Sequence, residues 1–151
     1  MIRLAKNNYF YKLYLWLPII FLFISVLNGF DFNYMNIDFF SFNFPFILIF
    51  YFSLKEYNHF DYLLVFLAGL INDTVVGLPL GLSSLSYVMI SIFASYLRNL
   101  TIRPNLIKDW FYFLFTISLI NSLSYSILFL FFSYDLDIMF YVINNLFTFF
   151  F

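Results

Sequence analysis

Six apolar runs alternate with short polar stretches along the chain, and the alternation is long enough in period to read as helices rather than strands. The runs cover residues 13–30, 39–54, 62–76, 82–97, 110–132 and 136–151. Between them lie a basic and aromatic lead-in (1–12), an acidic, Asn-rich segment (31–38) and a mixed polar loop around Lys55, Glu56, His59 and Asp61. The later breaks are a Gly77-Leu78-Pro79-Leu80-Gly81 turn, a basic loop (98–109) and a short link at Asp135. Gly and Pro punctuate the third break, at 77–81, and Ser83 or Ser84 is placed to cap the helix that follows. Pro18 sits one turn into the first run, where a missing N–H costs little, while Pro45 falls inside the second and needs its freed carbonyl met by a neighbour. The first run exceeds the about 7–15 residues of a secretory h-region, and residues 26–30 offer no small-x-small cleavage site. It is expected to stay in the membrane.

Composition turns this pattern into a statement about solvent. The chain is 64% hydrophobic and 10% charged, with a mean hydropathy of +0.93. A soluble domain carries roughly a quarter charged residues. The expected fold class is therefore all-α, a polytopic transmembrane helical bundle of about six spans in one domain covering 1–151. Several runs are short, since 16 residues rise only about 24 Å against a hydrocarbon core of about 30 Å. In a six-helix arrangement Arg3, Lys6, Lys12, Lys55, Arg98, Arg103 and Lys108, all seven basic residues, fall on one side, and Asp31, Asp38, Asp135 and Asp137 fall on the other. The positive-inside rule then puts both termini in the cytoplasm. Tyr9, Tyr11, Tyr57, Tyr96 and Trp110 mark the inner interface, and Tyr34 and Tyr134 the outer one.

Candidate chemistry is sparse. With no cysteine and one histidine, no zinc cluster of the usual kind can form, no cofactor is expected, and His59 is expected to be solvated. Asp73 is the one acidic residue set well inside an apolar run, and an intramembrane carboxylate is by default a functional hypothesis. Gly69, Asp73 and Gly77 are spaced by four and would share one helix face open to close approach of a second backbone, with Asn72 beside them. Two readings stand for Asp73: an internal contact with the Ser83–Ser84 amides at the start of the next helix, or a face offered to a partner or ligand. Catalysis is not expected. An aspartyl protease would need a second membrane carboxylate to share a proton, and a serine triad lacks its base. Ser84, Ser91 and Ser95 form a stripe suited to helix packing, and Ser118, Asn121, Ser122 and Tyr125 share one face of the fifth run.

Pro45, Tyr51-Phe52, Phe66-Leu67-Ala68-Gly69-Leu70-Ile71-Asn72-Asp73 and Gly77-Leu78-Pro79-Leu80-Gly81-Leu82 together resemble the MreD family of bacterial rod shape-determining membrane proteins. The specific part of the resemblance covers roughly residues 45–98. It implies a non-enzymatic, multi-pass scaffold of the bacterial cytoplasmic (inner) membrane that serves cell elongation and peptidoglycan synthesis. The implied partner is the bitopic protein MreC, with the MreB filament, RodA and its transpeptidase nearby and no nucleic acid. Gly69, Asn72, Asp73, Gly77, Pro79 and Gly81 are the candidate partner-binding or helix-packing residues. The family is also similar in helix arrangement to the substrate-binding subunits of energy-coupling-factor vitamin transporters, so a small-molecule-binding subunit, with Asn72, Asp73, Asn121 and Tyr125 converging on a ligand, is the alternative.

Overall fold

The structure, a computed structural model, describes residues 8–27, 43–55, 61–100 and 106–132 together with Val142, Leu146 and Thr148. These residues form five α-helices and no strand: α1 (Asn8–Leu27), α2 (Phe44–Lys55), α3 (Tyr62–Val76), α4 (Leu82–Leu100) and α5 (Leu106–Phe132). The fold is therefore all-α, as the periodicity predicts. His59, Arg103, the acidic stretch 31–38, the acidic link at Asp135 and Asp137, and all of the sixth run except Val142, Leu146 and Thr148 lie outside the described residues.

α3 coincides with its apolar run and α4 starts with its own, whereas the starts of α2 and α5 depart from the edges of theirs. The second run is apolar from residue 39, yet α2 starts at Phe44, with the Phe46 amide donating to the Asn43 carbonyl at 3.1 Å. Pro45 consequently stands in the first turn, where its missing N–H is no loss, and needs no neighbour to repair the helix. Asp61 caps α3: it has extended backbone (φ −65°, ψ 124°), its carboxylate accepts from the Leu63 amide at 3.3 Å, and its carbonyl accepts from Leu64 and Val65. Likewise α5 begins at Leu106, so Lys108 and Asp109, expected in a loop, belong to its first turn. There Asp109 complements the helix dipole.

α4 lies at the centre and packs against α3, α2 and α5, while α1 covers α2 and α3. The core is aliphatic and aromatic: Leu22 and Val26 of α1, Ile49 and Phe50 of α2, Val65 and Ala68 of α3, Tyr87 and Ile90 of α4, Ile117 and Ile120 of α5. Phe46 meets Tyr87 edge-on with ring centres 5.6 Å apart, and Phe50 meets Phe113 at 5.0 Å, spacings at which aromatic quadrupoles attract. Buried hydroxyls join the helices at two further points, Ser53 with Ser91 at 3.1 Å and Ser86 with Ser124 at 2.7 Å.

Among the described residues α5 is the helix long and apolar enough to cross a bilayer. Its 27 residues rise about 40 Å, more than the about 30 Å hydrocarbon core, whereas the 15 residues of α3 rise about 22 Å.

Candidate functional site

The α3–α4 connection begins with Asp73 in the last turn of α3. Helix α3 closes at Gly77, whose φ of 77° is left-handed, and the amides of Gly77 and Leu78 both donate to the Asp73 carbonyl at 3.0 Å. The chain then turns through Pro79, whose carbonyl accepts from Leu82 at 3.2 Å, and through Gly81, whose φ is 103°. Both glycines have open space where a Cβ would stand. They are there for backbone conformation, which L-residues reach only at a cost, and not to admit a neighbouring helix.

This geometry aims the amino end of α4 back at the carboxylate. Oδ2 of Asp73 accepts from the Gly81 amide at 2.7 Å and, more weakly, from the Ser84 hydroxyl at 3.4 Å, while Oδ1 accepts from the Ser83 amide at 2.8 Å. The side chain is fully buried. Isolated, such a charge would be expensive in an apolar setting. Here it meets short, charge-assisted bonds from backbone amides at a helix amino terminus, where the macrodipole favours a negative group. Asp73 thus ends α3 with its carbonyl and begins α4 with its carboxylate. The internal contact open in the sequence is the one formed, with the Gly81 and Ser83 amides as donors and the Ser84 hydroxyl in place of its amide.

Gly69 and Asn72 complete the joint. A Cβ on Gly69 would fall 2.3 Å from Ser84 Cα and 2.6 Å from Ser84 N, so α3 and α4 touch backbone to backbone there. The close approach expected of the Gly69, Asp73, Gly77 face is real at Gly69, and the second backbone is the chain's own. Gly77 leaves that face because the helix has already ended. The Asn72 amide donates to the Ser83 hydroxyl at 3.0 Å. Pro79 is half-buried in the turn, and the adjacent Leu80 is exposed.

The six candidate residues thus belong to one structural joint between α3 and α4. Asn121 and Tyr125, the other polar groups a ligand site would recruit, stand half-buried on α5, which packs against α4. Residue spacing did not reveal the Arg98 link, in which Nη1 donates to the Ser53 carbonyl at 3.0 Å and ties the end of α4 to the last turn of α2. An unpaired carbonyl at a helix end facing a long cation was the available signal. The Asp61 cap was more accessible, since an Asp directly before an apolar periodic run marks a helix start.

No protein-family model, curated protein or solved structure is significantly similar to this chain.

Proposed function

We propose that the protein is a non-enzymatic scaffold of the bacterial cytoplasmic membrane, of the MreD type, that spans the bilayer about six times with both termini inside. In this role it docks on an MreC-like bitopic protein and, through it, serves the MreB filament, RodA and its transpeptidase in rod-shaped elongation. The observation that carries the reading is the self-contained α3–α4 joint. Asp73 and Asn72, the polar pair that a binding subunit or a proton-transferring enzyme would hold open, are consumed by Gly81, Ser83 and Ser84. Phe111, Phe115, Phe129, Leu130 and Phe131 of α5 are exposed, a surface suited to lipid and to other transmembrane helices. The basic residues on one side of the apolar runs support the orientation.

Depletion in a rod-shaped host tests the role. Cells become round, and affinity purification of the full chain recovers the bitopic partner. Normal shape on depletion, with a vitamin-like small molecule recovered instead, would replace the scaffold by the transporter subunit. Reporter fusions test the topology: they read cytoplasmic near Lys55, Asn105 and Phe151 and periplasmic near Asn33 and Asp135. A periplasmic reading at Phe151 with the rest unchanged removes the sixth span.

A further inference from the structure

A groove of about 550 Å³ opens between α2, the end of α4 and the start of α5. Its volume lies within the roughly 300–1,000 Å³ of small-molecule sites. Phe50, Leu54 and Phe113 form part of its apolar wall, and two cations, Lys55 and Arg98, stand in the same lining. Both cations are held in place. Lys55 Nζ donates to the Tyr51 hydroxyl and lies 4.3 Å from the centre of that ring, and Arg98 donates to the Ser53 carbonyl. Trp110 lines the groove as well, an amphipathic ring of the kind that settles at headgroup level. Among the described residues one carboxylate, Asp109, shares the lining, and with the two cations gives them a net charge of one positive.

We propose that this groove binds a membrane phospholipid whose headgroup carries a single phosphodiester charge, with its acyl chain along Phe50, Leu54 and Phe113 and its phosphate at Lys55 and Arg98. The inference rests on the orientation proposed above, which puts this end of the bundle at the cytoplasmic leaflet. Basic recesses between helices on that side suit anionic headgroups, and a long apolar wall beneath two cations matches an amphiphile rather than a free anion. Asp109 opposes a headgroup with several negative charges, which selects a monoanionic lipid such as phosphatidylglycerol. The groove is separate from the α3–α4 joint, since none of the six residues of that joint lines it.

The test is native mass spectrometry of the purified full chain in detergent with added phosphatidylglycerol, diacylglycerol of the same acyl chains, or inorganic phosphate. Phosphatidylglycerol is retained, and diacylglycerol and phosphate are not. Lys55→Gln weakens retention about fivefold, the share of one cation near an anionic lipid. Leu54→Trp, which narrows the groove along its apolar wall, weakens retention while the helical circular dichroism and thermal midpoint stay near wild type. Should Leu54→Trp unfold the chain, the Lys55→Gln comparison decides alone. Equal retention of diacylglycerol, displacement of the lipid by inorganic phosphate, or unchanged retention in Lys55→Gln would overturn the proposal. Alkaline carbonate extraction of cell membranes separates the two levels: a chain that stays in the membrane but shows no lipid preference loses this site only, and a chain that is extracted loses the membrane reading with it.

Discussion

Between Gly69 and Ser84 the chain buries a carboxylate, brings two backbones into contact and occupies both carboxylate oxygens of Asp73. Along α5, by contrast, Leu130 and Phe131 are 73% and 77% exposed, and the helix leans on α4 through only part of its surface. Where the surroundings are apolar, burying Phe or Leu distinguishes one arrangement poorly from another, because lipid solvates these side chains as well as a protein core does. A carboxylate facing two amides has no equivalent partner in lipid. In the bilayer proposed for this chain, the polar joint therefore specifies how α3 meets α4, while the outward face of α5, a helix held to α4 through Ser86 and Ser124 on its inner side, tolerates change.

The largest expected effect is at the joint's acceptor. Asp73→Leu leaves the Gly81 and Ser83 amides without partners at roughly 1–3 kcal/mol each, so the midpoint of denaturant unfolding in detergent should fall sharply. Asp73→Asn keeps one carbonyl acceptor but turns an NH₂ toward an amide donor, and should lie between the two. Gly69→Ala comes next. Its methyl group meets Ser84 backbone atoms that cannot rotate away, and overpacking of this kind costs about 1–3 kcal/mol or more. A substitution there without loss of stability would show that α3 and α4 do not touch at that point. Gly77→Ala is smaller, about 1–2 kcal/mol for a left-handed L-residue, because open space surrounds it. The smallest effect is on α5: Phe129→Leu or Leu130→Phe should change the unfolding free energy by less than about 0.5 kcal/mol, as surface changes usually do. A change on α5 as large as that of Gly69→Ala would erase the contrast between the two regions.

Legibility in the sequence followed the same division. The helical class, the break after α3 and the special standing of Asp73 were readable, because Gly, Pro and a lone carboxylate in an apolar run each carry a physical requirement of their own. The starts of α2 and α5 were not. Hydropathy marks where the solvent preference of side chains changes, whereas a helix starts or ends where its amides and carbonyls find other partners, as at Asn43. A spacing of four puts Gly77 on a packing face only while the helix continues, and α3 stops one residue earlier. The serine stripe was readable as packing, but not that its members serve different neighbours: Ser84 turns to Asp73 on α3, and Ser91 to Ser53 on α2. Pairings across helices depend on tertiary geometry that no local pattern encodes.

The central claim, that the Asp73 carboxylate holds the amino end of α4, is tested most directly by backbone hydrogen exchange over residues 77–85. Exchange would be compared by mass spectrometry between wild type and Asp73→Leu reconstituted at equal levels, with residues 111–120 of α5 as an internal reference. Protection across 77–85 is expected to drop in the variant while α5 is unchanged. Full protection of 77–85 in a correctly inserted Asp73→Leu protein would contradict the claim and return the carboxylate to a role facing a partner.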